Sequence, residues 1–129
     1  MEVQNQKLVE KGVESWAFIA EQAYSTLEEN IEMIRNVNDW ASLTGCSRSW
    51  LWKCTKRYFG KTPNAILREV RFKKIVSVIL ENPKAPAKFV AGKVGPWNGA
   101  RLYNFLNRYH FTNFTQLRYQ VLNSPDKFL

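Results

Sequence analysis

Both cysteines of the chain, two of its five tryptophans and four of its nineteen Lys/Arg residues fall in one stretch, GCSRSWLWKCTKRY, from Gly45 to Tyr58. Cysteine chemistry is the first use to weigh. Cys46 and Cys54 lie eight positions apart and the single histidine, His110, is far along the chain. A zinc site needs about four Cys/His ligands at short spacings, and a nucleophilic thiol needs a base beside it. Neither can be assembled. Cys54 sits among apolar positions and reads as a small core residue, and Cys46 as a turn residue. No carboxylate pair, Ser/His/Asp set or glycine-rich phosphate loop stands elsewhere, so the expectation is no catalytic residue, metal, cofactor or small-molecule site. What remains in the stretch is cations interleaved with aromatics, which suits a polyanion.

Helical arithmetic sorts these residues. At about 100° per residue, Ser49, Trp52, Lys53 and Lys56 form one stripe, and Leu51, Cys54, Thr55 and Tyr58 the opposite one. Arg48 lies on one flank, Trp50 and Arg57 on the other. The apolar side faces a core. The other side could meet DNA: Lys53 and Ser49 as base readers, Trp52 against a sugar or thymine methyl, and Arg48, Lys56 and Arg57 on phosphates, which position rather than specify. Trp52 has an alternative, folding back onto the core where its indole gains burial.

The elements that must hold this helix follow from the rest of the sequence. Apolar residues recur at three and four positions and almost never alternate, so the chain reads as all-α, about seven helices. A first helix spans about 15–34, with Trp16, Ile19, Ala23, Leu27, Ile31 and Ile34 on one stripe. Asn36 caps a helix 37–44 that Gly45 stops, and Ser47 caps a helix 48–59 that Gly60 stops. Thr62-Pro63 opens a long linking helix, 63–81. The plan then repeats, with a helix 86–94 begun by Pro86, a turn after Gly95, a helix 98–109 and a closing helix 113–122. The tail NSPDKFL is expected to fray. Val90-Ala91, Gly95 and Leu102 answer Trp40-Ala41, Gly45 and Leu51, and Arg108-Tyr109 answers Arg57-Tyr58. Two helix-turn-helix subdomains joined by a long helix result. The expected division is an acidic helical extension 1–24, a first subdomain 25–62, the linking helix 63–82, a second subdomain 83–122 and a tail 123–129.

Charge agrees with a polyanionic partner. Residues 1–36 hold three Lys/Arg and seven Asp/Glu, and residues 37–129 hold sixteen and four. A strongly basic block beside an acidic one points to nucleic acid, with an acidic membrane surface as the weaker alternative. No apolar run is long enough for a transmembrane helix, and the polar N-terminus lacks a signal-peptide layout. The expected location is cytoplasmic. The acidic face of Glu28, Glu29 and Glu32 could meet RNA polymerase or another regulator.

Several fixed spacings agree at once with a known family. WASLTGCSRSWL, KRYFGKTPNAILREVRFKKI and VAGKVGPWNGARLYNFLNRY, in that order, resemble the core motifs of AraC/XylS-type transcription regulators across about 25–118. The resemblance implies a bacterial, sequence-specific binder of double-stranded DNA with two recognition helices entering successive major-groove segments. It also implies that Arg71 and Arg118 tie helices together. The chain departs from the family pattern at Thr55 and Pro96, where Phe is usual, at Phe111, where the second unit has glycine, and at TNF, where Thr-Pro is usual.

The second unit is a divergent copy. Its outward stripe is Ala100, Tyr103, Asn104 and Asn107, flanked by Arg101 and Arg108, while Leu102, Phe105, Leu106 and Tyr109 face inward. Ala100, Arg101, Tyr103 and Asn104 are the base-contacting candidates; Asn107 and Arg108 are phosphate candidates. The stripe itself carries no cation, so the first unit is expected to read most of the sequence. Trp97 is expected to pack within its unit. Arg68, Glu69 and Arg71 are expected to form ion pairs, and His110 to be a surface or satisfied residue. The competing reading is a protein-interaction module, or a non-specific DNA binder, on the same fold.

Overall fold

The computed structural model describes residues 13–129; the first half of the expected 1–24 extension lies outside the described residues. Seven α-helices and no strand occur among them: α1 (Val13–Asn30), α2 (Val37–Thr44), α3 (Arg48–Phe59), α4 (Pro63–Glu81), α5 (Ala87–Val94), α6 (Gly99–His110) and α7 (Phe114–Asn123). The all-α expectation holds, the expected caps Asn36 and Ser47 hold, and Asn98 and Asn113 cap two further helices. Asn36 accepts from the Asp39 N–H, Ser47 from Trp50, Asn98 from Arg101 and Asn113 from Gln116. Gly45 (φ 86°) and Gly60 (φ 71°) end their helices in the left-handed region that a Cβ disfavours. Several boundaries shift: α1 is helical from Val13, and α6 and α7 each lie one residue later than expected, because Asn98 and Asn113 are caps rather than first helical residues. α1 stops at Asn30 and a 3-10 turn, Ile31–Met33, replaces its expected last turn. Pro86 is the residue before α5 rather than its first.

The chain forms two compact units that meet in sequence between Val70 and Arg71. Unit 1 is built around Ala23, Leu27, Ile31, Ile34, Trp40, Ala41, Leu51, Ile66, Leu67 and Val70. Trp40 is fully buried and its indole Nε1–H donates to the Ala23 carbonyl at 2.7 Å, which ties α2 to α1. Unit 2 gathers Ile75, Val76, Val78, Ile79, Val90, Val94, Leu102, Phe105, Leu106, Leu117 and Val121. Burying each of the Val, Leu, Ile and Phe side chains among these is worth about 1.5–3 kcal/mol, so the helical stripes read from the sequence are what hold each unit. α1 runs through residue 24 without a break and places Ile19, Ala20 and Ala23 in the interior of unit 1.

The tail does not fray as expected. Pro125–Lys127 forms a 3-10 turn, and Phe128 packs half-buried on the unit 2 core, its ring 6.4 Å from that of Phe72. One aromatic anchor offsets the ordering entropy of those few residues. Among the described residues no helix is long and apolar enough to cross a membrane.

Candidate nucleic-acid interface

The first-unit stripe exists as a surface. Leu51, Cys54 and Thr55 are fully buried, and Arg48, Ser49, Trp52, Lys53, Lys56 and Arg57 are exposed. Trp52 is 48% exposed and does not fold back on the core. Tyr58, expected inward, is also exposed; it lies in the last turn of α3, and its hydroxyl donates to the Glu21 carboxylate of α1 instead of entering the core. Arg57, expected on phosphate, has its guanidinium 3.9 Å from the centre of the Trp16 ring, a stacking contact worth about 0.5–2 kcal/mol that competes with any phosphate. Lys53 Nζ stands 5.8 Å from the Trp50 ring, and Arg48 lies 3.4 Å from the Asn38 side-chain oxygen.

A groove lies beside this stripe, lined by Asn36, Val37, Asn38, Arg48, Ser49, Trp52, Pro63 and Asn64. These residues belong to the starts of α2, α3 and α4. The first N–H groups of a helix have no intrahelical acceptor, and the helix dipole makes that end positive. Three helix starts converge here; Pro63 has no N–H and the Asn36, Ser47 and Thr62 side chains already accept from Asp39, Trp50 and Ala65, so the Arg48 guanidinium and the helix dipoles are what would meet a phosphate backbone. Asn38 and Asn64 were missed by sequence reasoning; being the second residues of helices opening on capped turns was the signal available.

Unit 2 repeats the order of the helices, with one extra residue in its turn. α6 starts 51 residues after α3 and α7 starts 51 after α4. The corresponding groove is lined by Ala87, Gly99, Leu102, Tyr103, Asn113, Phe114, Thr115, Gln116 and Tyr119, with no cation among them. Ala100, Arg101, Tyr103, Asn104, Asn107 and Arg108 are all exposed, Tyr103 at 54%. Tyr109, expected inward, is exposed on the flank beside Arg108, whose guanidinium is 5.4 Å from its ring. Like Tyr58 it sits in a last turn at the edge of its unit, its ring 5.5 Å from that of the buried Phe105.

Behind the second stripe, Trp97 packs against Phe105 with ring centres 5.2 Å apart, as expected of a packing residue. The Arg71 guanidinium lies 4.7 Å from that indole and that of Arg101 lies 5.6 Å away. Arg71 is 3% exposed and donates to the Val94 carbonyl at the end of α5. Burial, then the nearby Arg101 charge, lower its pKa to about 10, still far above neutrality, so the cation persists. Arg118 donates to the Ala85 carbonyl at 2.7 Å and stacks on Phe114. Both arginines tie helices and loops within unit 2. The expected ion pairing of Glu69 is with Lys61, at 2.9 Å, rather than with its neighbours on α4.

The other chemistry-bearing residues are structural in their geometry. Cys46 is half-buried in the α2–α3 turn and Cys54 fully buried, and burial pushes both thiols up to about 11. His110 stacks on Phe72 with ring centres 3.8 Å apart. Its Nε2 has no hydrogen-bond partner among the described residues, and burial lowers its pKa. It is half-buried rather than a surface residue. Among the described residues no group of three His, Cys, Asp or Glu could hold a metal ion.

No protein-family model and no curated protein matches the chain. Among solved structures, the chain is similar to a transcriptional regulator from Chromobacterium violaceum described as an AraC-type DNA-binding domain-containing protein. The TM-score is 0.64 at 22% identity, covering 79% of this chain and 90% of that one. At that identity the likeness shows a shared fold.

Proposed function

We propose that this protein is a sequence-specific, double-stranded DNA-binding transcription regulator that reads the major groove mainly with α3. The observation that carries the reading is the exposed Ser49–Trp52–Lys53–Lys56 stripe on the second helix of a capped two-helix turn, beside a groove of three helix starts and Arg48. The solved neighbour's description as a transcriptional regulator adds support from a shared fold. In this reading Lys53 donates to guanine, Ser49 to an adjacent base edge, and Trp52 lies against sugar or a thymine methyl. Arg48 and Lys56 grip phosphate. α6 adds grip through Arg101 and Arg108 and weaker base reading through Asn104. The exposed Glu28 and Glu29 of α1 and Glu32 of the 3-10 turn after it are where RNA polymerase or another regulator would dock, in a cytoplasmic bacterial setting.

Selection of bound DNA from a random pool tests the reading: a motif should be enriched at moderate salt. Lys53→Ala should then cost about 1–3 kcal/mol of discrimination at one base pair, and Asn104→Ala distinctly less. Equal losses would end the asymmetry between the units, and no enriched motif would end the specific-regulator reading.

A second reading rests on the apolar groove of unit 2, where Tyr103 and Tyr119 are 54% and 69% exposed. An aromatic groove without cations suits a protein partner. DNA binding that falls only weakly with salt and prefers no sequence would favour it.

A further inference from the structure

α1 packs along α3 more extensively than α2 does. Besides placing Ala23 and Leu27 in the main core of unit 1, α1 builds a second cluster with α3: Ile19, Ala20 and Cys54, covered by Trp16, Trp50 and Phe59. Trp50, Cys54 and Arg57 share one seam of α3, since offsets of four and seven residues return to within about 40° of the start. That seam borders the outward stripe. Three contacts close it from the α1 side: Trp16 under the Arg57 guanidinium at 3.9 Å, Glu21 accepting from the Tyr58 hydroxyl, and Ile19–Ala20 against the fully buried Cys54. One contact then leads from the seam to the stripe, Lys53 Nζ at 5.8 Å from the Trp50 ring.

We infer that the first turns of α1, through Trp16 and Glu21, are a buttress that fixes the rotation of α3 and thereby aims Lys53; the inference rests on the DNA-reading role proposed for α3. Trp16 and Glu21 are positioning residues in this arrangement and touch no DNA. The buttress has a second effect: it stacks the Arg57 cation on an indole. Loss of Trp16 would uncover Trp50 and release Arg57 beside the reading stripe. Specific binding would then fall while non-specific binding rises, because phosphate attraction is indifferent to sequence. A residue that only stabilised the fold would lower both together.

The experiment uses the full chain with Trp16→Ala and Trp16→Phe, the latter preserving an aromatic face. Amide exchange of α3, with α6 as internal reference, should speed up roughly tenfold in Trp16→Ala and little in Trp16→Phe. The ratio of affinity for pool-selected duplex over affinity for bulk DNA should fall about tenfold in Trp16→Ala, with a salt slope steeper by about 0.9 from the released cation. Trp16→Phe should restore both. Unchanged exchange in α3 overturns the inference, and so do two affinities that fall in step. If the wild-type chain enriches no sequence, the proposed function fails, and the exchange comparison alone decides the buttress.

Discussion

The ends of α3 and α6 set up a direct test of how far the backbone dictates the residue. Gly60 and Phe111 stand 51 positions apart at equivalent helix ends, and both are left-handed, at φ 71° and φ 52°. The Gly60 N–H donates to Lys56, and the Phe111 and Thr112 N–H groups both donate to Leu106. The hydrogen-bonded closure of the helix therefore demands this conformation in both units. A side chain in it costs about 1–2 kcal/mol. A Cβ added at Gly60 meets nothing within 4 Å, so Gly60→Ala isolates the backbone cost; it should destabilise unit 1 by about 1 kcal/mol. Phe111→Gly is the reverse experiment. It removes about 1–2 kcal/mol of steric cost, returns about 0.5–1 kcal/mol to unfolded-chain entropy, and forfeits about 0.2–0.3 kcal/mol of burial because the ring is 89% exposed. The net is a stabilisation of up to about 1 kcal/mol. With a urea m-value of about 1 kcal/mol/M for a unit this small, the midpoint of unit 2 should rise by up to about 1 M, read by far-UV circular dichroism. A loss of 1 kcal/mol or more in Phe111→Gly would refute the reasoning, as would a neutral Gly60→Ala.

Three further outcomes follow from contacts within the units. Arg71→Ala strips the Val94 carbonyl of a charged donor and unstacks Trp97, and should cost about 2–4 kcal/mol in urea melts; a Gly95→Ala methyl would sit 2.8 Å from the Arg71 guanidinium, so its cost of about 1–3 kcal/mol should shrink in the double variant. His110 has a folded pKa lowered by burial, so the unfolded chain takes up the proton first. Its contribution is complete above the unfolded value of about 6.5 and is lost as pH falls below it, and His110→Phe should flatten stability between about pH 7 and 5. Cys46 and Cys54, both pushed up to about 11, are thiols at neutral pH, so aromatic-disulfide labelling at pH 7.5 should be slow for Cys46 and wait on opening of unit 1 for Cys54.

Helix boundaries were legible because caps are local. Asn36, Ser47, Gly45 and Gly60 act on backbone groups within a few residues, so their types announce their roles. The inward and outward stripes of α3 and α6 were legible for the same reason, since 3.6-residue periodicity fixes faces without reference to neighbours. Contacts between elements distant in sequence were not. Nothing in the type of Arg57 distinguishes a phosphate contact from a stack on Trp16, 41 positions earlier, because both are served by the same flat cation. Tyr58 and Tyr109 failed at the inward edge because an amphipathic side chain follows whichever neighbour its helix end reaches. Phe128 in the tail could not be foreseen from a short, mostly polar stretch, since its anchor is a core whose residues reach back as far as Phe72 and Ile75.

The two units differ where folding has least to say. Inward pairs keep their character: Leu51 with Leu102, Ile66 with Leu117, Val70 with Val121, all buried. Outward pairs change: Lys53 becomes Asn104 and Lys56 becomes Asn107, all exposed. On a solvated helix face, Lys and Asn differ by only a few tenths of a kcal/mol in helix propensity, so neither pair alters the fold appreciably. The same exchange removes two cations, and each phosphate contact governs about 0.9 of the logarithmic salt slope. A change almost invisible to stability is therefore large for a polyanionic ligand. The groove follows the stripe, holding Arg48 and three asparagines in unit 1 and Tyr103, Phe114 and Tyr119 in unit 2. Inward faces and caps hold each unit, so an exchange on an outward face can change the charge it presents at little cost to the fold.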